Sequence, residues 1–197
     1  METRNIIIEQ ILELELAMFL SVPTAHRYRC QEDPESFRLH RQAQFAAWSA
    51  PTLESYLIDL QRAKAADRNL LAIKYARMDN LLPRENFSPA IDAIVPLALE
   101  GQKAFITRHP YLMQGGRPPA KEQDAPGQTS FETYLRSELE TYSDKTLDLL
   151  HGDMLALQES GSSLSEATYR HLAKQWGFDS LETLEQTLRD KIASQKD

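Results

Sequence analysis

Four ionisable side chains fall where helical periodicity calls for apolar residues. Glu15, Arg41, Lys74 and Glu138 each lie among hydrophobic residues when side chains are placed at about 100° per residue. Burying an unpaired charge is costly, so such groups should pair with one another. Buried carboxylates near bases have shifted pKa values, as groups used in acid–base catalysis often do. We therefore predict that two acids and two bases converge, with Glu15 and Glu138 as candidate catalytic groups.

A small anionic ligand fits the two bases of this predicted site. Arg41 and Lys74 would hold the anionic group, and tyrosine hydroxyls would complete a pocket between the helices. Cys30 and Asp33 would lie at its mouth. The predicted ligand-binding residues are Cys30, Asp33, Arg41, Gln44, Trp48, Lys74, Tyr75, Tyr134 and Tyr142. The alternative is that the charges form structural ion pairs, or that their long side chains reach solvent at the rim of each apolar face.

Other patterns that could carry chemistry are weak. The pair His26 and Cys30 lacks the second pair of ligands that zinc sites normally show, so no metal is expected. A di-iron bundle needs two Glu-x-x-His-type motifs, and only Asp148 to His151 approaches one. Cys30 as a nucleophile would need a base such as His26 or His40. The segment QGGRPP lacks the spacing of a phosphate-binding loop, and no cofactor can be named.

Helices must position these residues. Apolar residues recur three and four apart along the chain, only 7 glycines occur, and alternating β-branched runs are absent. The expected fold is all-α, a single-domain bundle of about seven to eight helices over residues 1–197. A Gly/Pro-rich loop is expected at 110–128, and a capping box with Thr129 or Ser130 and Glu132 should follow it. The expected helices are 3–20, 34–48, 50–67, 70–82, 89–108 (kinked or split at Pro96), a long one up to 159, one ending at 176, and 180–193.

Composition restricts the classes of partner. The chain has 22 basic and 29 acidic residues and a formal net charge of −7, which opposes binding to nucleic acid or to an anionic membrane. No stretch approaches the roughly 18 consecutive apolar residues of a membrane span. A single cysteine suits a reducing compartment, and the N-terminal segment does not resemble a signal peptide. We therefore expect a cytoplasmic protein.

Three segments resemble a bacterial family known as domain of unknown function 4125: CQEDPESFRLHRQAQFAAWS, NLLAIKYARM and TSFETYLRSELETYSDKTLDL. The resemblance runs from the first helix to about Leu184. Family members tend to have Glu-Lys-Tyr where this chain has Ile73-Lys74-Tyr75, so one acidic group is absent. The resemblance implies an all-helical fold without an assigned reaction, and it suggests a nucleotidyltransferase-like partner. The residues that match the family's cysteine motif are Cys30, Gln31, Asp33, Phe37, Arg41, Gln44, Phe45 and Trp48.

Two functions remain open at this point. The first is a small-molecule-binding protein or enzyme with a polar Glu/Arg/Lys/Tyr pocket between helices. The second is a non-catalytic helical module that binds a protein through the 110–128 loop or the C-terminal helical hairpin. In the second case the buried charges only fix the register of the helices, and apolar surface should be exposed elsewhere.

Overall fold

Short polar side chains start most of the helices, which a computed structural model describes over residues 2–23 and 33–195. Each accepts a hydrogen bond from a backbone N–H of the first turn and so satisfies a donor that the helix itself leaves free. These N-caps are Asp33, Ser49, Asn69, Ser130, Ser143, Ser163 and Ser180.

The described residues form nine α-helices and no strand, which confirms the all-α expectation with a count slightly above seven to eight. The helices are α1 (Glu2–Leu20), α2 (Pro34–Phe45), α3 (Ala50–Ala65), α4 (Leu70–Met78), α5 (Pro89–Arg108), α6 (Phe131–Leu139), α7 (Asp144–Glu159), α8 (Leu164–Gln175) and α9 (Leu181–Ala193). None of them combines the length and the apolar character that a membrane crossing requires.

The extra helix arises because the long helix expected up to Glu159 is in fact two. Helix α6 ends at Leu139, and Ser143 then caps α7 by accepting the N–H of Thr146 at 3.3 Å. Apolar periodicity continues across this break, so the pattern alone did not reveal it. The Ser143 cap was the available signal. Tyr142 therefore enters the core from a turn and not from a helix face.

Two other helices end earlier than expected. Helix α4 stops at Met78 instead of residue 82, and Leu81, which the expected helix would have included, is 74% exposed. Helix α2 stops at Phe45, although Trp48 still packs inside through a following turn. Helix α5 keeps the exposed Pro96 inside one continuous helix, so the split does not occur.

The core lies between α1 and the helices that surround it. Helix α1 packs on α2, α3 and α4, while α5 packs on α6, α7 and α8. The apolar face of α1 is buried, with Ile8, Ile11 and Leu12 at most 4% exposed. A smaller cluster around Phe105 joins α5 to α8 and α9. The inner faces of α1, α2, α4 and α6 thus meet in the interior, where the four charged residues were expected.

The 110–128 loop is partly ordered by its own hydrogen bonds. It contains a 3₁₀ turn, Lys121–Gln123, and an isolated bridge between Ala125 and Gln128. Ser130 caps α6, whereas Glu132 accepts the N–H of Lys121 instead of closing the expected capping box. The loop is thereby fixed against the N-terminus of α6.

Candidate functional site

Glu15 and Arg41 form a buried bidentate ion pair between α1 and α2. The Arg41 Nε donates to Glu15 Oε2 at 2.7 Å, and its Nη2 donates to Glu15 Oε1. Glu15 is fully buried and Arg41 is 6% exposed. The planar guanidinium matches both carboxylate oxygens, a geometry that offsets part of the cost of burying the two charges.

Glu138 joins this pair to Lys74 on α4. Its Oε1 accepts from Arg41 Nη1 at 2.7 Å, and its Oε2 accepts from Lys74 Nζ at 2.6 Å. Arg41 Nη1 also donates to Gln44 Oε1 at 2.8 Å. The four charges predicted to converge therefore do so, in the order Glu15–Arg41–Glu138–Lys74. We call these four residues the ionic network.

Two tyrosine hydroxyls complete the network. Tyr142 donates to Glu138 Oε1 at 2.7 Å, as the predicted role requires. Tyr56, on α3, donates to Glu15 Oε1 at 2.6 Å and was not among the predicted residues. Tyr56 lies at helical spacing from the buried Leu53 and Leu60, a pattern that reads as plain core. The role of Tyr56 could have been inferred only from the need of the buried Glu15 carboxylate for a further hydrogen-bond donor.

Two other predicted tyrosines lie beside Lys74 with their rings. Lys74 Nζ lies 3.5 Å from the ring centroid of Tyr134 and 5.7 Å from that of Tyr75. The expectation of hydroxyl contacts was wrong for Tyr134, because Lys74 approaches the ring and benefits from its quadrupole. The ring of Tyr134 also lies 4.7 Å from the guanidinium of Arg117 in the 110–128 loop.

The remaining predicted residues lie elsewhere. Trp48 is packed in the core against Phe45 and Tyr56, with centroids 5.1 and 5.6 Å away. Asp33 is exposed and caps α2 by accepting the N–H of Ser36 at 2.9 Å. In this geometry Trp48 contributes to the packing of the core, and Asp33 caps a helix. Cys30 lies outside the described residues.

The pKa values of the network favour its ionised form. Burial raises the pKa of the Glu138 carboxyl, but the charges of Arg41 and Lys74 outweigh burial and hold that pKa well below its usual range. Burial lowers the pKa of Arg41, and Glu138 and Glu15 more than compensate, so it lies well above its usual value. Burial, reinforced by Glu15, raises the pKa of the Tyr56 hydroxyl. At neutral pH, Glu138 is therefore an anion that accepts hydrogen bonds.

The network balances its own charge. Two carboxylates face two cations, and no side chain of the four is more than 7% exposed. General acid–base catalysis works best with a pKa near the operating pH, and that of Glu138 is shifted away from it. The arrangement can hold four helices in register. Catalysis by Glu15 and Glu138 stays a prediction.

Beside the network lies a cleft of about 1250 Å³ between the end of α1, α4 and the 110–128 loop. Arg117 and Lys121 line it, and so does Tyr75 from the predicted set. We call it the Arg117 cleft. Tyr134 connects this cleft to the network, because its ring contacts Arg117 in the cleft wall and Lys74 in the network.

Potential metal ligands are not clustered in the part of the chain that the structure describes. No group of three or more histidine, cysteine, aspartate and glutamate residues there is placed to hold a metal ion. The oxygen atoms of the network carboxylates are instead occupied by cations and hydroxyls.

Comparison with known protein families gives a match. No curated protein and no solved structure matches the chain. A family model matches residues 5–186, a range that includes every member of the ionic network and both tyrosines bound to it. The chain therefore belongs to the family described as "Protein of unknown function (DUF4125)".

Proposed function

We propose that this protein binds a small anionic molecule in the Arg117 cleft. The observation that carries the proposal is the pair of cations on its wall. Arg117 and Lys121 line the cleft together with Asp79 and Asp124, and the charge of Arg117 contributes to lowering the pKa of Asp124. Neither cation forms an ion pair within 4 Å with a carboxylate of the described residues. Cations that converge on a concave surface are the feature that anionic ligands require.

The position of Arg117 is fixed, which favours binding over a solvated loop. Its Nη1 donates to the carbonyl oxygen of Thr129 at 2.8 Å, and its guanidinium stacks over Tyr134. A side chain already held in place loses less entropy when a ligand binds. The cleft is also lined by Phe19 and Pro126, so an anion with an apolar part would suit it.

The ionic network supports this cleft from behind. Tyr134 is held between the network and the cleft wall by its contacts to Lys74 and Arg117. In this proposal Arg41 and Lys74 position the wall and do not touch the ligand, since Glu15 and Glu138 already occupy them. The proposed ligand site is therefore not the network itself, as predicted from the sequence, but the neighbouring cleft that the network supports.

A thermal-shift screen of small carboxylates and phosphates tests the proposal. A ligand that binds only the folded state must raise the melting temperature. We expect at least one anion to do so for the wild type, and the shift to disappear in the double variant Arg117→Gln, Lys121→Gln. The variant Arg189→Gln is the control, because Arg189 is exposed on α9 and does not line the cleft. A screen without any shift, or a shift retained by the double variant, would contradict the proposal.

A second candidate, a non-catalytic module that binds a protein, is favoured by one observation. Leu81 and Phe87 are 74% and 71% exposed on the segment between α4 and α5. Large exposed apolar side chains mark a contact surface where they form a patch. A pull-down that compares the wild type with the double variant Leu81→Ser, Phe87→Ser separates the two functions. A stoichiometric partner lost only in that variant favours the module.

The location and the partner are also proposals. A cytoplasmic location is supported by the single cysteine of the chain, which suits a reducing compartment. The family resemblance suggests a nucleotidyltransferase-like partner. Mass spectrometry of the pulled-down material checks this directly.

A further inference from the structure

The segment between α4 and α5 presents apolar side chains to the outside. Leu81, Leu82 and Phe87 are 74%, 41% and 71% exposed. Most of the large apolar side chains that the structure describes lie in the core, so this local concentration on the surface marks a candidate contact with another protein surface. We call Leu81, Leu82 and Phe87 the apolar ridge.

Hydrogen bonds hold the segment that carries the apolar ridge. Arg77 Nη1 donates to the carbonyl oxygen of Leu82 near its start. Near its end, Asn86 Nδ2 donates to the carbonyl oxygen of Tyr142 at 2.9 Å. A segment that is already ordered loses little conformational entropy when another surface covers it. The apolar ridge is therefore prepared for a contact.

The Arg117 cleft lies directly beside the apolar ridge. Leu81 and Leu82 belong to the lining of that cleft, so the ridge forms one of its rims. Phe19 and Pro126 add apolar surface inside it. Its volume of about 1250 Å³ exceeds the roughly 300–1,000 Å³ of small-molecule pockets, which leaves room for the side chains of a protein segment. A convex and a concave apolar surface thus adjoin on one face of the molecule.

A face with an adjoining ridge and cleft can be complementary to itself. A two-fold axis between them would place the apolar ridge of each copy in the Arg117 cleft of the other, so the same contact would form twice. Such an arrangement closes on itself and covers the apolar ridge of both copies. This symmetry favours a second copy of the chain as the occupant of the cleft.

The charges of the face match under the same rotation. Glu85 lies in the ridge segment with its side chain 73% exposed, and its ion pair with the exposed Arg68 is 3.6 Å long, a kind that contributes little. In the cleft, Arg117 and Lys121 have no ion pair within 4 Å among the described residues. The rotation brings Glu85 of the second copy toward these two cations.

The acids of the cleft leave this attraction in place. Asp124 accepts hydrogen bonds from the N–H of Ser130 through one oxygen and from the hydroxyl of Thr133 through the other, so its carboxylate is engaged within the loop. Asp79 lies at the end of α4, where the ridge segment begins, and not in the loop that carries the cations.

We propose that this face joins two copies of the chain in a two-fold dimer. The apolar ridge of each copy lies in the Arg117 cleft of the other, and Glu85 of the second copy lies beside Arg117 and Lys121. The dimer goes beyond the proposed function and does not require a free anion, because the carboxylate of Glu85 takes its place.

Analytical ultracentrifugation of the full chain tests the proposal. We expect a monomer–dimer equilibrium with a Kd of about 10–100 µM, because the contact is small and both copies carry a formal net charge of −7. The double variant Leu81→Ser, Phe87→Ser should raise the Kd about tenfold or more, since the apolar centre of the contact is lost. Circular dichroism checks that each variant is folded.

Charge reversal separates a direct contact from general repulsion. Glu85→Arg and Arg117→Glu should each raise the Kd about tenfold. An equimolar mixture of these two variants should associate about as tightly as the wild type, because both contacts of the mixed dimer again join opposite charges. Glu54→Arg and Arg189→Glu are the controls. Both positions are exposed outside the cleft, and the same changes in net charge there should alter the Kd less than about twofold.

Four results overturn the proposal. They are a wild type that stays monomeric up to about ten times the expected Kd, association beyond the dimer, a Kd unchanged in Leu81→Ser, Phe87→Ser, and a mixture of the charge variants that associates no better than its components. None of them removes the proposed anion site, because the thermal-shift screen measures anion binding separately.

Discussion

At the scale of single residues, Glu138 is the centre of the ionic network. Its carboxylate contacts both Arg41 and Lys74, and it also accepts a hydrogen bond from the hydroxyl of Tyr142. Removing one member of a buried ion pair leaves the other charge buried without compensation, which costs more than the pair itself contributes. Substitutions at Glu138 should therefore have large effects on stability.

Glu138→Gln should lower the free energy of unfolding by roughly 3–5 kcal/mol, because two buried cations lose their negative partner. Urea denaturation at neutral pH measures this. Glu13→Gln is the matched control, since Glu13 is exposed on the opposite face of α1, and it should change stability by less than about 0.5 kcal/mol. Equal effects of the two substitutions would show that Glu138 is not a buried partner.

The pH dependence of stability follows from the same carboxyl. The pKa of Glu138 is lower in the folded protein than its ordinary value of 4.5, so the unfolded chain binds the proton more tightly. Its contribution is therefore fully present above pH 4.5 and is lost as the pH falls further toward the folded pKa. Urea denaturation from pH 7 to pH 3 should show a steeper loss for wild type than for Glu138→Gln. Parallel curves would contradict this origin of the dependence.

Two tyrosine variants test whether the hydroxyl or the ring of each side chain stabilises the network. Tyr56→Phe removes a hydroxyl bound to the Glu15 carboxylate and should cost about 1.5–3 kcal/mol. Tyr134→Phe keeps the ring that contacts Lys74 and should cost less than about 0.5 kcal/mol. Urea denaturation of both variants gives the comparison. A larger loss for Tyr134→Phe would reverse these assignments.

The sequence predicted which charges meet but not every group that they meet. Charges on apolar faces have to pair, and this rule was enough to bring Glu15, Arg41, Lys74 and Glu138 together. This rule did not identify Tyr56, because a tyrosine at helical spacing from leucines is typical of an ordinary core position. The rule did not reveal the Arg117 cleft either, because its wall includes loop side chains such as Arg117, whose placement depends on tertiary contacts.

At the scale of elements, capping residues decided the boundaries that periodicity left open. The apolar repeat runs through the break between α6 and α7, although α6 ends at Leu139 and Ser143 caps the start of α7. Near the end of α4 the repeat also continues, yet Asn80 adopts a φ of 55° and the helix stops before it. Left-handed backbone conformations of this kind are tolerated by asparagine and end helices.

Two helical glycines give a prediction about helix packing. A Cβ at Gly101, on α5, would lie 2.7 Å from the Cβ of Ser163 at the start of α8, whereas one at Gly152, on α7, would meet nothing within 4 Å. Gly101→Ala should therefore cost roughly 1–3 kcal/mol through overpacking. Gly152→Ala should stabilise by about 0.5–1 kcal/mol, because alanine is the better helix former. Thermal unfolding of both variants measures the difference, and the same sign for both would contradict the packing of α5 on α8.

At the scale of the whole molecule, four paired charges lie in the interior and a cleft lies beside them. The ionic network joins α1, α2, α4 and α6. Tyr134 contacts Lys74 in the network and Arg117 in the Arg117 cleft. The network is thus a closed support behind this candidate site.

The central claim is that this network is closed, and the reactivity of Lys74 tests it most directly. Lys74 is 2% exposed, whereas Lys103 and Lys145 are exposed on α5 and α7. Native protein can be treated with an amine-acetylating reagent and each lysine quantified by mass spectrometry. We predict that Lys74 stays unmodified while Lys103 and Lys145 are acetylated, and that all three react in urea. Acetylation of Lys74 in the native protein as fast as that of Lys103 would show an open pocket and contradict the account.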